Sequence, residues 1–359
     1  MNVGAVSPAT GEPQTVSVVI CAFTTERWNQ LQDAVVSVLD QEPAPEEVLV
    51  VIDYCPALEV LARDFFGADR VRVLTNSAHQ GLSGARNTGT SAASGDVVVF
   101  LDDDAVAQPG WLAEHARHYL NSDVIGVGGL IVANWEEARP PWFPPEFGWV
   151  VGCSYVGQPA VTSEVRNPIG ANMSFRRSLL MGVGGFSSSL GRVGTTPRGC
   201  EETELSIRVA AAFPHGRILH EPRAVVHHHV PASRGRWSYF RRRCWSEGLS
   251  KADVSRLSDP RRALAAERTY VTKVLPAGVR RNVAAAGHRR ELAHLMMALT
   301  ICGGLAITTV GYLTGQLLLS TKRRTRRPGS PQGGIGSSPD AERPVSRGAV
   351  SADGDGCLG

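Results

Sequence analysis

Three consecutive aspartates, Asp102-Asp103-Asp104, end a five-residue apolar run, Val97-Val98-Val99-Phe100-Leu101. Such a run reads as a buried strand of a parallel sheet. Side chains alternate along an extended backbone, so Asp102 and Asp104 can point one way and Asp103 the other. Two carboxylates on one side make a hard-oxygen site for Mg²⁺ or Mn²⁺, ions usually shared with substrate phosphates. Like charges crowded at a strand end repel, so a purely structural role needs a partner; the plainer alternative is a solvated acidic turn. Three further features have similar chemistry. Asp53 closes the apolar run Val48-Leu49-Val50-Val51-Ile52, Glu201-Glu202 opens a helical stretch, and His227-His228-His229 ends a late apolar run. A helix start favours anions through its dipole. Singly, each has a bland reading as a helix cap, a dipole partner or a surface cluster. Their order along the chain is what carries information.

The elements that must position these residues follow from periodicity. Val16-Ser17-Val18-Val19-Ile20 is a first strand, and Trp28 to Leu39 places Leu31, Val35, Val38 and Leu39 at helical spacing. Leu58 to Phe66 reads as a helix and Val71-Arg72-Val73-Leu74 as a strand, and Gly81 to Gly89 enters a short helix before the Val97 run. Strands alternating with helices predict an α/β fold, a parallel sheet with helices on both faces. Right-handed crossovers then bring the strand ends to one rim, where ligands of open α/β sheets bind. After a helix over Trp111–Leu120 the pattern turns irregular. It resumes with a short helix between Phe175 and Gly182, a helix from Glu201 to about Ala212, and a strand over Ala224–His229.

Composition narrows the field. The 359 residues can hold one large or two ordinary domains, and 43% apolar content is that of a globular protein. A net charge of +3 is too small to argue for nucleic acid, and none is expected as a partner. Seven scattered cysteines form no CxxC pair, so neither a zinc site nor a disulfide framework is expected. Residues 1–14 read as a disordered leader with no cleaved signal peptide.

Several stretches together resemble the family 2 glycosyltransferases, inverting enzymes of the GT-A fold. They are Val16–Phe23, Val50-Val51-Ile52-Asp53, Gly84-Ala85-Arg86-Asn87-Thr88-Gly89, Phe100–Asp104, Gly170–Arg177 and Cys200–Arg208. The resemblance covers about Val16 to Pro231. It implies a metal-dependent transferase taking a nucleotide-diphosphate sugar, typically a UDP-sugar. Ala22 and Phe23 would wrap the nucleotide, Asp53 would meet the base, and Arg86 would lie near the donor. Asp102, Asp103 and Asp104 would form the DxD region, with Asp104 on the metal, Asp102 on ribose or metal and a late-strand histidine, for which His228 is favoured over His227 and His229, as a further ligand. The catalytic pair is Glu201-Glu202, with Glu202 in the position of the base. The family has Glu-Asp there, so the base is one methylene longer in this chain. The Gln-x-x-Arg-Trp motif of processive members is absent, although Arg236-Trp237 is present, which implies single additions rather than polymer synthesis.

Leu292 to Leu319 contains no Asp, Glu, Lys or Arg and is longer than the roughly 20 residues that span a bilayer. It reads as a transmembrane or re-entrant segment, the latter bent at Gly303-Gly304, or else as a buried core helix. Gly311 and Gly315 form a GxxxG pair that lets another helix approach. Basic flanks, Arg280, Arg281, Arg289 and Arg290 before and Lys322, Arg323, Arg324, Arg326 and Arg327 after, leave its orientation open. The arginine- and tryptophan-rich stretch Arg234–Trp245 suits an anionic lipid surface. The expected layout is a GT-A domain over 15–235, a basic helical region over 236–290, the apolar segment over 291–320 and a disordered tail over 321–359. The expected setting is the cytoplasmic side of a cell membrane, in cell-envelope glycan or glycolipid synthesis with a glycan, lipid-linked or small-molecule acceptor. Two alternatives stand beside it: a membrane-anchored nucleotide-sugar-binding protein without turnover, and a haloacid-dehalogenase-like phosphatase with Asp102 as nucleophile. The second lacks a lysine before the basic region, since only Lys251, Lys273 and Lys322 exist.

Overall fold

The computed structural model describes residues 14–67, 70–188, 199–257, 265–289 and 291–325. The leader to residue 13, residues 189–198, Arg290, and Arg326, Arg327 and the tail lie outside the described residues. The first half alternates as its periodicity predicts: β1 (Val16–Ala22), α1 (Trp28–Leu39), β2 (Glu47–Ile52), α2 (Pro56–Phe66), β3 (Val71–Thr75), α3 (Leu82–Ala92) and β4 (Val97–Asp102). β3, β2, β1 and β4 pair in parallel, in that spatial order. Alternate residues feed two cores. Val18, Val50 and Val99 pack with Leu31, Val35 and Val38 of α1, while Val19, Val51 and Val98 pack with Ala85 of α3. Burying such a side chain is worth about 1.5–3 kcal/mol, which explains why these strands are continuously apolar. Gly89 is required by this packing, because a Cβ there would lie 2.5 Å from Val19 Cγ1.

The second half makes the sheet mixed. Short β5 (Ala105–Ala107) follows the aspartates, and α4 (Trp111–Ala116) passes into a 3₁₀ turn over Arg117–Leu120. β6 (Val124–Trp135) is a twelve-residue strand within the stretch that reads as irregular. Its glycines, Gly126, Gly128 and Gly129, break the apolar alternation. A Cβ at Gly126 would meet the Phe175 ring at 2.7 Å, and one at Gly128 would meet Pro168 at 2.4 Å. β7 (Ser163–Glu164), β8 (Asn172–Arg176), α5 (Arg177–Gly182), α6 (Glu201–Ala212) and β9 (Arg217–Val230) complete the domain. β8 runs antiparallel between β4 and β6, β6 and β9 are parallel, and β5 and β7 pair antiparallel with β9.

A helical layer follows: α7 (Trp237–Leu257), α8 (Ala265–Thr269), a π-turn over Tyr270–Val274, α9 (Leu275–Arg289) and α10 (Leu292–Thr325). α10 runs as one helix through Gly303 and Gly304, so the re-entrant hairpin is not formed. The glycines serve close packing instead. A Cβ at Gly304 would lie 2.5 Å from the Phe147 ring, one at Gly311 2.5 Å from the Trp245 carbonyl oxygen, and one at Gly315 2.6 Å from Ala252 Cβ. The face with Gly311 and Gly315 is therefore filled by α7 of the same chain. The close helix approach expected of the pair is made within the chain, by α7.

Candidate active site

Register brings the acids together. Cys21 pairs with Asp102 and Ala22 with Ile52, so the carboxyl ends of β1, β2 and β4 share one rim. The Asp53 N–H donates to the Ala22 carbonyl at 2.8 Å. A cleft of about 770 Å³ opens on this rim. Ala22, Phe23, Asp53 and Arg86 line one part of it, and Asp102, Asp103, Asp104, Glu201, Glu202 and His228 also line it.

The strand pleat stops at Asp102, and Asp103 and Asp104 occupy the turn before β5. Asp103 does not simply face away, because Arg27 binds both acids, Asp103 at 2.6 Å and Asp104 at 2.8 Å. The β5–β9 pairing sets Ala105 opposite His228. His228 Nε2 then reaches Asp104 Oδ1 at 3.1 Å, and Arg234 approaches Asp104 at 3.5 Å. His227 turns to Gln108, and the His229 N–H donates to the Asp104 carbonyl. Donor atoms of Asp102, Asp104 and His228 lie within 4.8 Å of one another. Burial alone would raise Asp104, but His228, Arg234 and Arg27 hold its carboxyl well below the usual carboxylate range. Burial works against charge on His228, yet Asp104 beside it raises its pKa to about 10. Burial pushes Asp103 up to about 7 against the pull of Arg27. An ion would displace the proton of His228, leaving two carboxylates and an imidazole, hard-to-borderline donors that fit Mg²⁺ or Mn²⁺. The Asp103 Oδ2 atom, buried without a hydrogen-bond partner, fits a site that gains a positively charged guest.

Arg86, only 2% exposed, ties the strand end to the helix start. It donates to Glu201 at 3.1 Å, to Asp102 at 3.4 Å and to the Gly170 carbonyl at 3.0 Å. Gly170 must lack a Cβ, which would lie 2.9 Å from the guanidinium. Cys200, at φ +71°, occupies the left-handed region that disfavours a non-glycine residue, and α6 starts immediately after it. Glu201 is thus committed to Arg86, while half-buried Glu202 stays in the cleft lining. Burial and then the neighbouring Glu201 charge raise the Glu202 pKa to about 8. A carboxyl poised near neutrality suits general-base work. Asp53 carries a structural load as well, since it accepts from Asn76 at 2.7 Å and from the Gly81 N–H at 2.9 Å, holding the loop before α3.

Arg27 and Arg234 escape a sequence reading of the site. The available signal is position: Arg27 is the first basic residue of the chain and follows Ala22-Phe23 closely, and its guanidinium stacks over the Phe23 ring at 4.9 Å. The far wall also escapes it. Tyr155, Tyr270, Leu305 and Tyr312 line it beside an ion network in which Glu267 accepts from Arg166 at 2.6 Å and from Lys251 at 2.6 Å. Trp149 and Gly199 also line the cleft.

The mixed α/β sheet with an acidic rim at its strand ends resembles the GT-A fold. The mannosyltransferase PcManGT from Pyrobaculum calidifontis, solved in complex with GDP-Man and Mn²⁺, shares the fold at a TM-score of 0.52 and 18% identity, over 89% of this chain and 90% of that one. Residues 17–184 match the model of glycosyl transferase family 2. The glucosyl-dolichyl phosphate glucuronosyltransferase of Haloferax volcanii is 34% identical over 238 residues, 66% of this chain and 76% of the relative. The pre-mycofactocin glycosyltransferase of Mycobacterium tuberculosis is 29% identical over 50% of this chain and 37% of its own length. The chain belongs to the family 2 glycosyltransferases and is an enzyme of sugar transfer.

Proposed function

We propose that the protein moves a sugar from a nucleotide-diphosphate donor to an acceptor hydroxyl with inversion, in a reaction that depends on Mg²⁺ or Mn²⁺. The observation that carries this reading is the convergence of Asp102, Asp104 and His228 donor atoms within 4.8 Å on the strand-end rim. These three residues would hold the ion, which supplies countercharge to the departing diphosphate. Ala22, Phe23 and Asp53 would bind the nucleoside, with a uracil base as the expected partner of Asp53. Glu202 would accept the acceptor hydroxyl proton while the acceptor oxygen bonds to the anomeric carbon and the bond to the diphosphate breaks. Attack from the face opposite the leaving group inverts that carbon without a covalent enzyme intermediate. Arg86 would keep Glu201 and Asp102 in register, so that Glu202 is the carboxylate left available.

The acceptor would be a lipid-linked glycan or glycolipid presented at the cytoplasmic face of a membrane. Support comes from the apolar α10, which contributes Leu305 and Tyr312 to the cleft wall, and from the lipid-linked sugar in the printed name of the Haloferax relative. A thermal-shift screen of UDP- and GDP-sugars with and without Mn²⁺ tests the donor half. Stabilisation by one donor that disappears with chelator is expected, since a ligand at 100 times its Kd adds about 2.7 kcal/mol. Equal stabilisation with and without chelator would remove the metal from the reading.

A further inference from the structure

α10 is apolar on two faces, and among the described residues one of them is packed against α7 and α9 while the other is exposed. Its inner face is bolted to α7 by Gly304, Gly311 and Gly315 and to α9 by the His294–Asn282 hydrogen bond at 3.1 Å. Its outer face exposes Leu292, Leu295, Leu299, Val310 and Leu313, each between 44% and 76% accessible. This stripe runs the length of the helix at helical spacing. Beside it, α7 presents exposed Trp237, Arg241 and Trp245 at i, i+4 and i+8, and Trp237 borders Gly303. Arg236 and Arg242 are exposed next to them.

Length and composition alone would let Leu292–Leu318 cross a bilayer. The packing argues otherwise. Over the stretch that grips Gly304 to Gly315, α7 carries Arg241, Arg242, Arg243, Glu247 and Lys251. A spanning α10 would draw these charges into hydrocarbon with it, where ionisable groups are strongly disfavoured. It would also carry Leu305 and Tyr312 away from water, although they line the same cleft as Asp104. Apolar residues on one face, with tryptophan and arginine at its border, form instead the pattern of a helix lying at a lipid–water interface.

We infer that the helical layer docks in the plane of an anionic bilayer, with the Leu292–Leu313 stripe of α10 dipping below the headgroups and Trp237, Arg241 and Trp245 of α7 at headgroup level. In-plane helices bury their apolar face by only about 5–10 Å. The far end of the cleft then opens next to the lipid surface. The inference deepens the membrane association proposed above. It is read without donor or acceptor, so its failure leaves the transfer chemistry standing.

The test measures depth along α10 in the full chain bound to phosphatidylcholine vesicles with and without phosphatidylglycerol. Cys302 is exposed in the middle of the stripe, whereas Cys21 and Cys55 are half-buried. A nitroxide is placed at Cys302 in a C21S/C55S/C357S background, then moved to Leu295→Cys or Leu313→Cys with Cys302→Ser. In-plane docking gives all three labels the same shallow depth, with stronger binding when phosphatidylglycerol is present. A spanning helix, rising 1.5 Å per residue, would set Cys302 deeper than Leu295→Cys by about 10 Å and overturn the inference. Absence of vesicle binding, or spin–spin broadening in lipid-free protein from a second copy on the stripe, would overturn it as well. The double variant Leu299→Glu/Leu313→Glu is expected to lower vesicle binding at least about tenfold, with donor hydrolysis in lipid-free buffer preserved.

Discussion

The two walls of the cleft are built on opposite rules. On the donor wall, the acids sit where a strand ends or a helix starts, and two of them are held by counter-charges: Asp104 by His228, Arg27 and Arg234, and Glu201 by Arg86. On the helical wall, position comes from side chains that are missing. α7 and α10 meet where Gly248, Gly304, Gly311 and Gly315 let backbones and rings close in. The first wall is set by electrostatics and backbone register, the second by shape. Perturbing charge should therefore damage chemistry with little effect on the fold, and perturbing shape on the helical side should do the reverse.

The largest expected effect is on the donor wall. Glu202→Gln should lower transfer by about 10²–10⁴-fold, the range for loss of a general base, while Mn²⁺-dependent stabilisation by the donor is retained. Asp104→Asn should lose both. If Glu202→Gln also abolished donor stabilisation, Glu202 would belong to donor binding and the base would have to be sought elsewhere. Steady-state rates and thermal shifts on the same preparations separate the two outcomes.

On the helical wall, two adjacent glycines provide an internal control. A Cβ at Gly304 would meet the Phe147 ring at 2.5 Å, whereas at Gly303 the nearest atom is 3.9 Å away. Gly304→Ala should overpack the contact and cost about 1–3 kcal/mol. Gly303→Ala should be neutral or stabilising by up to about 1 kcal/mol, from helix propensity alone. Chemical denaturation of the two variants measures the difference. Equal stabilities would mean that α10 is not docked on Phe147, and the shape rule for this wall would fail.

These rules explain which parts of the molecule are legible in its residues. The parallel half is readable because both faces of its strands are buried, giving continuous apolar runs such as Val97–Leu101, and because its chemistry lies at the strand ends. Glu201 and Glu202 are readable for the same reason, at a helix start. β6 is not, because its glycines make room for Phe175 and Pro168, and a missing side chain leaves no periodic signal. Arg27 and Arg234 are visible as basic residues, but their convergence on Asp104 depends on tertiary register. For α10, hydropathy reports apolar residues all round. Only the packing separates the inner face, held by α7, from the outer face left exposed. Hydropathy consequently reports a helix long enough to span, where the packing shows one face of it already held by α7.

The smallest expected effect, pH-dependent stability, also divides the walls. Glu202 rises from an ordinary value of 4.5 to about 8 on folding, with burial the first cause and Glu201 the second. Between those pH values the folded protein holds a proton that the unfolded chain has released. Stability therefore falls as pH rises from about 4.5 to about 8, because the unfolded state binds fewer protons. Glu202→Gln removes that dependence. Its melting temperature should match the parent protein at pH 4 and exceed it increasingly as the pH rises towards 8. The Gly304→Ala deficit involves no proton and should stay constant between pH 5 and pH 9. A melting-temperature series across that range, run on both variants, is the check. A Glu202→Gln gain that did not grow with pH would show that this carboxyl is ionised throughout. The general-base limb of the transfer rate would then lie below neutrality instead of near pH 8.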